Sequence, residues 1–158
     1  MKDCQLSIDC ARAQHCAFIL SSLRGSNVLD VFDMLGGMYI ALGENLSQYW
    51  ESKNGFRELI EREKSLAKAI EQVRIEGIET LSALGLPFSG ASMKALSPAM
   101  MHTFRKAHES AISRESTGKP VVKPEDFLLA LATEPSTELG PKMLESGVDL
   151  VRLGQAVK

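Results

Sequence analysis

Two short motifs in this chain have the spacing of known catalytic loops. Ser65 and Lys68 fit S-x-x-K, in which a lysine lies beside the serine nucleophile of β-lactamase-type enzymes. Gly85 and Gly90 have the glycine spacing of a phosphate-binding loop. However, Ala91 stands where that loop needs its lysine, and no predicted strand precedes it. The S-x-x-K match lies inside a predicted helix without its partner motifs, so neither motif predicts catalysis.

Thiols and imidazoles are the other side chains that could do chemistry. The three cysteines, Cys4, Cys10 and Cys16, are crowded into one segment, and an odd number is a poor disulfide framework. Their spacing of six does not align them on one helix face. His15 beside Cys16 has no second ligand pair, so we expect no metal site. The cysteines are predicted to be buried or half-buried thiols of a reducing compartment.

The remaining histidines, His102 and His108, have no serine or cysteine with an orienting acid near them in the sequence. We therefore expect no catalytic residue, no cofactor and no enzyme activity. Net charge is −2, from 18 basic and 20 acidic residues, which argues against nucleic-acid binding because that needs a concentrated basic patch. No apolar run approaches the ~20 residues of a membrane span. The first residues lack the layout of a signal peptide, so we expect a cytoplasmic protein without membrane partners.

The apolar pattern is helical almost everywhere, and aromatic residues are only 6% of the chain. It predicts an all-α fold of about eight helices and no strand of consequence. Gly36 and Gly37 interrupt the second helix at a cost in helix propensity, and a neighbouring helix packed closely there would be one reason for them. The predicted helices lie near residues 6–24, 28–42, 56–84, 97–114, 141–147 and 150–157. A short helix carries Leu46, Tyr49 and Trp50, and another opens at 123–126 and carries Phe127, Leu128, Leu131 and Ala132.

Cap residues predict where several of these helices begin. Ser7 or Asp9 is expected to cap the first helix, and Ser97 followed by Pro98 the helix that begins near residue 97. Asp149 is expected to cap the last helix. Such residues accept hydrogen bonds from backbone N–H groups that the first turn of a helix leaves unpaired.

The two ends of the chain resemble each other. One constant offset relates the first long helix to the helix after residue 97, and related segments follow in the same order. This predicts a single domain, 1–158, with two pseudo-symmetric four-helix repeats at about 5–60 and 95–158, joined by a linking helix and connector over 61–94. The matched residues are Leu6, Ser7, Ala17, Arg24, Asp30, Leu35, Trp50 and Leu59 with Leu96, Ser97, Ala107, Arg114, Asp126, Leu131, Leu144 and Leu153.

The second repeat resembles a known family. Residues 124–131 read P-E-D-F-L-L-A-L and are followed by Glu134-Pro135, which is similar to the "T-E-H-L-L-L-A-L…E-P" segment of the Clp N-terminal repeat. Residues 143–153 resemble that repeat's "L-x-x-x-G-V-D-L-x-x-L" ending. Leu96 stands where the family has its opening aromatic residue, and Asp126 stands at the family's histidine.

The resemblance implies a helical domain that binds adaptors or substrate segments for ring-forming ATPases and does no chemistry itself. Some members bind phosphoarginine through the glutamate of each "T-E-H" segment. Glu125 keeps that carboxylate, but Leu29 occupies the aligned position of the first repeat. A pocket with one such carboxylate from each repeat is therefore not expected.

We therefore expect a protein-binding module that recruits substrates or adaptors to a Clp-type unfoldase. Its binding surface is predicted at the starts of the two long repeat helices, near Leu6 and Leu96, with Met100 and Glu125 nearby. An alternative is a stand-alone accessory subunit that docks on a Clp ATPase or protease. A third reading is a helical enzyme or small-molecule sensor with an unrecognised pocket.

Overall fold

Helices account for most of the residues that the computed structural model describes, which are 4–52, 54–83, 95–115, 118–133 and 138–158. This confirms the all-α class. Within these ranges there are ten helices and four two-residue strands. The helices are α1 (Ile8–Leu23), α2 (Val31–Leu42), α3 (Glu44–Ser47), α4 (Gly55–Arg62), α5 (Lys64–Glu76), α6 (Ile78–Ala83), α7 (Pro98–Arg114), α8 (Pro124–Thr133), α9 (Leu139–Glu145) and α10 (Leu150–Ala156). The strands are β1 (Gln5–Leu6), β2 (Val28–Leu29), β3 (Ala95–Leu96) and β4 (Val121–Val122).

Three predicted helix caps are present. The Ser7 hydroxyl accepts a hydrogen bond from the Cys10 backbone N–H at 3.1 Å, so Ser7 rather than Asp9 caps α1. The Ser97 hydroxyl accepts from the Met100 N–H at 3.1 Å, with Pro98 in the first turn of α7. The carboxylate of Asp149 caps α10 in the same way. Each side chain pairs one N–H group that the first helical turn leaves without a partner.

The single long helix predicted over 56–84 is wrong, because α4, α5 and α6 occupy this part of the chain. Glu63 has φ −91° and ψ 93°, which is extended backbone, and it separates α4 from α5. Gly77 has φ +87°, a conformation that glycine adopts without steric cost, and it separates α5 from α6. The apolar stripe continues across both breaks, so periodicity alone predicted one helix.

The strands were not predicted. β1 pairs in parallel with β4, and β2 pairs in parallel with β3, each over two residues. Segments this short carry no readable period of two. Both pairs join a segment from the first half of the chain to a segment from the second half. In each pair, both strands lead into helices: β1 into α1, β2 into α2, β3 into α7 and β4 into α8.

Helices α1 and α2 pack closely where the two glycines lie. A Cβ atom at Gly37 would overlap the Ala13 carbonyl oxygen and lie 2.7 Å from the Ala17 backbone nitrogen. A Cβ atom at Gly36 would lie 2.8 Å from the Leu20 Cδ1 atom. The α1 backbone therefore fills the space that a side chain would need at Gly37. At Gly36 that space is filled by side chains, Leu20 of α1 and Leu66 of α5, whose Cδ1 atom would lie 2.7 Å from a Cβ atom.

Both ends of the chain contribute to one hydrophobic core. Phe56 from α4 stacks on Trp50 with ring centroids 4.5 Å apart. Trp50 also forms an antiparallel backbone bridge with Val148 from the other end of the chain. No described helix has the length and apolar character needed to cross a membrane. The predicted connector over 85–92, which contains the phosphate-loop spacing, and the Glu134-Pro135 pair lie outside the described residues.

Candidate protein-binding surface

The four residues predicted for binding are divided between the two strand pairs. Leu6 lies in β1, whose partner β4 leads into the first turn of α8, which contains Glu125. Leu96 lies in β3, in the other pair, and both leucines are half-buried against the core. Met100, expected at the surface, is 0% exposed, because it lies on the face of α7 that packs into the core. It therefore cannot contact a partner in this conformation.

Glu125 is held by a residue that sequence reasoning did not single out. The Tyr49 hydroxyl donates a 2.8 Å hydrogen bond to the Glu125 Oε2 atom. Burial, and then this bond to a carboxylate, raise the pKa of Tyr49 to about 12. The half-buried Glu125 is thus tied to the other end of the chain. Its separation from Tyr49 by 76 positions left no sequence signal for the pair.

Asp126, next to Glu125, belongs to a buried polar cluster behind the surface. Its side chain is 0% exposed and accepts hydrogen bonds from the Arg114 guanidinium at 2.7 and 2.8 Å, the Ser110 hydroxyl and the Lys123 backbone N–H. The hydrogen bond to Asp126 raises the pKa of Arg114 above its usual value. These bonds fix the last turns of α7 to the first turn of α8, which is a structural role.

The other half of the chain has a matching cluster. The Arg24 guanidinium contacts the Asp33 carboxylate at 2.5 Å, and Asp33 also accepts from the Asp30 backbone N–H. Burial raises the pKa of Asp33 even though Arg24 opposes that shift. Asp33 therefore occupies the place that Asp126 has in α8, whereas the sequence alignment had paired Asp30 with Asp126. This three-residue correction places Phe32, not Leu29, opposite Glu125.

Exposed apolar side chains gather beside both strand pairs. We call Ile8, which follows β1, and Val121, in β4, the first apolar patch; they are 79% and 39% exposed. Val28, in β2, and Met101, in the first turn of the helix after β3, form the second apolar patch at 37% and 53%. Four of the seven exposed large hydrophobic residues in the described part of the chain lie there. The other three are Ile75, Leu144 and Val151.

The residues predicted for binding near the starts of α1 and α7 are half-buried or buried, and the exposed apolar residues beside them are Ile8 and Met101. A signal was present, because Ile8 directly follows the predicted cap Ser7 and Met101 lies in the first turn of the helix that Ser97 was predicted to cap. The buried stripes of α1 and α7 start at Cys10 and Met100, so the side chains of Ile8 and Met101 point away from the core.

Two of the three thiols offer little reactivity. Burial raises the pKa of Cys10 to about 12 and that of Cys16 to about 11, so neither is a thiolate at neutral pH. Among the residues that the structure describes, no three His, Cys, Asp or Glu side chains are grouped so that they could hold a metal ion. The surface beside the strand pairs can therefore bind by apolar burial and by charge.

Comparisons with protein-family models and with curated proteins find no match for this chain.

Proposed function

We propose that this protein is a binding module that recruits protein substrates or adaptors to a Clp-type unfoldase. The observation that carries the proposal is the concentration of exposed apolar side chains beside the two strand pairs. Burial of such side chains drives most protein association, at roughly 25 cal/mol per Å² of apolar surface. The residues that support binding are Ile8 and Val121 beside Leu6, and Val28 and Met101 beside Leu96.

A duplicated architecture, as expected for the Clp N-terminal repeat, is part of the proposal. Several contacts that recur in both halves support it: a serine caps each long helix, and a buried arginine–aspartate pair joins that helix to the next. The strands also pair reciprocally: β1 and β2 of the first half pair with β4 and β3 of the second half, respectively. The bridge between Trp50 and Val148 is reciprocal as well, since Glu51 N–H donates to the Gly147 carbonyl and Asp149 N–H to the Tyr49 carbonyl.

The function is tested by affinity capture from source-cell lysate with quantitative mass spectrometry. The informative variant is Ile8→Asp/Met101→Asp, which places charge on both patches at exposed positions. Leu6→Asp and Leu96→Asp are less suitable, since these half-buried side chains pack on the core. Val151→Asp/Leu144→Asp is the matched control, because these residues are 72% and 50% exposed and belong to α10 and α9 rather than to a strand pair or the helix that follows it.

Adaptors or unfolded clients of a Clp unfoldase that are captured by the wild type and by the control, but lost with Ile8→Asp/Met101→Asp, would support recruitment through the patches. Capture of Clp ATPase or protease subunits without clients would instead favour the accessory-subunit reading. Equal capture by all three proteins would contradict the assignment of the patches. Circular dichroism of each variant establishes that the helices are retained.

A further inference from the structure

Exposed lysines flank the β4 side of the first apolar patch. Exposure alternates along this segment, with Lys119, Val121 and Lys123 exposed and Pro120 and Val122 buried. The ladder with β1 continues over these residues, through hydrogen bonds of 2.9 Å to the Pro120 carbonyl and 3.0 Å to the Val122 carbonyl. Alternate side chains of an extended segment lie on the same face. The two lysines and the valine between them therefore share one outward face.

A third cation lies on the α1 side of this patch. Arg12 is exposed and follows Ile8 by four residues, so the two side chains are neighbours on the helix surface. Within the described part of the chain, Arg12 and the two lysines form no ion pair. The nearby acids are Asp9, which is exposed, Glu125, whose carboxylate is hydrogen-bonded to Tyr49, and the buried Asp126, which is paired with Arg114. The patch is therefore apolar at its centre, with cations at its rim.

Among the described residues, the second apolar patch has no cations on its strand side. Val28 is flanked two residues away by Ser26 and Asp30, where the first patch has its two lysines. On its helix side the second patch does have a cation, because the exposed Arg105 follows Met101 by four residues as Arg12 follows Ile8. The Asp30 carboxylate also accepts a 2.8 Å hydrogen bond from the Ser97 hydroxyl. The two patches thus share a backbone arrangement and differ in charge.

We infer that the first apolar patch binds an acidic protein segment carrying apolar side chains, and that the second patch does not share this preference. The inference rests on the proposed function and adds the chemistry of the partner. Complementary rim charges orient a partner and select against like-charged ones. Two exposed apolar side chains between three cations fit a protein segment better than a nucleic acid, whose binding depends on many phosphate contacts.

The test is a selection of random 16-residue peptides displayed on phage against the immobilised full-length chain. We expect the enriched peptides to combine leucine-like residues with an excess of Asp and Glu. A Lys119→Glu/Lys123→Glu variant should bind the best acidic peptide at least roughly tenfold more weakly, since two favourable rim contacts become repulsive. Selected against that variant, the peptides should lose their acidic excess.

Lys64→Glu/Lys68→Glu is the matched control, because both lysines are exposed on α5 and the change in net charge is the same. It should bind the acidic peptide as the wild type does, and an equal loss in the control would overturn the inference. Enriched peptides that lack an acidic excess but are lost with Ile8→Asp would overturn the inference and leave the proposed function standing. If no peptide were enriched over a blank surface, both the inference and the proposed function would be contradicted.

Two further probes separate a protein segment from other polyanions. A 20-base-pair DNA duplex and phosphatidylserine vesicles are titrated against the wild type and the Lys119→Glu/Lys123→Glu variant. We expect neither to bind as tightly as the selected peptide at 150 mM salt, which is roughly physiological ionic strength. Tighter binding of either probe, lost in the variant, would overturn the inference in favour of a general polyanion site.

Discussion

The hydroxyl of Tyr49 lies 2.8 Å from the Oε2 atom of Glu125, although the two residues are 76 positions apart in the chain. Tyr49 follows α3 in the first half, and Glu125 lies in the first turn of α8 in the second. The Asp149 N–H donates to the Tyr49 carbonyl, so backbone and side chain both connect this residue to the other half. The bond therefore holds a half-buried carboxylate of the proposed surface in one position.

The pKa of Tyr49 is expected to be visible by ultraviolet absorbance. At pH 11 a phenol with a pKa of about 12 is only about one tenth ionised. At this pH the folded wild type and the folded Tyr49→Phe variant should have nearly equal phenolate absorbance per molecule. In urea, the phenolate absorbance of the wild type should be clearly higher than that of the variant. If the wild type and the variant differed in phenolate absorbance by the same amount folded and unfolded, the raised pKa of Tyr49 would be contradicted.

The same shift has a consequence for stability. Because the folded-state pKa lies above the unfolded value near 10, Tyr49 contributes stability that is fully present below pH 10 and is lost as pH rises towards 12. We expect the free energy of unfolding of the wild type to fall more steeply between pH 10 and 11.5 than that of Tyr49→Phe. Urea unfolding at several pH values measures both slopes, and parallel slopes would contradict this expectation.

Removing Asp126 is expected to destabilise the fold strongly. Asp126→Ala leaves Arg114, which is only 13% exposed, without its carboxylate partner, and breaking a buried pair in this way costs about 3–5 kcal/mol. Glu61→Ala is the control, since the Arg57–Glu61 pair is about 60% exposed on both sides and is worth at most about 0.5 kcal/mol. Urea unfolding followed by circular dichroism compares the two. Similar losses would show that the buried pair is no more important than the exposed one.

Sequence reasoning succeeded where local chemistry decides the structure. The caps Ser7, Ser97 and Asp149 were predictable because each satisfies backbone groups within its own first turn. The close approach at the two glycines of α2 was predictable for a similar reason, since glycine inside a helix is costly without a neighbour. The helical class followed from periodicity in the same way.

Features that depend on distant partners were not predictable. The two-residue strands form only because the other end of the chain supplies their partners, and the Tyr49–Glu125 bond has the same origin. Met100 is buried because its face of α7 packs on the core. The sequence does not show this, because residue type alone would allow either Met100 or its neighbour Met101 to be the buried one. The three-residue error in aligning Asp30 with Asp126 arose because Asp30 and Asp33 are both aspartates followed by two apolar residues, so residue type could not distinguish them.

Thiol reactivity should divide the cysteines of the native protein. Cys10 and Cys16 are 1% and 3% exposed, with pKa values raised to about 12 and 11, so both lack access and thiolate character at pH 8. With Ellman's reagent we expect no more than one fast-reacting thiol in the folded wild type and three in denaturant. Cys4→Ser should remove any fast phase. A fast phase of two or three thiols in the folded protein would contradict the burial of these residues.

Two glycine-to-alanine substitutions inside helices should change stability in opposite directions. Gly37→Ala forces a methyl group against the Ala13 carbonyl and the Ala17 backbone nitrogen, which cannot move without separating α1 from α2, so we expect a loss of about 1–3 kcal/mol. Gly154, inside α10, has nothing within 4 Å of the place a Cβ atom would take. Gly154→Ala should therefore gain up to about 1 kcal/mol, because alanine loses less backbone entropy in a helix. Thermal and urea unfolding of both variants measure the two changes. A neutral or stabilising Gly37→Ala would mean that α1 and α2 do not approach each other as closely as the backbone contact at Gly37 requires.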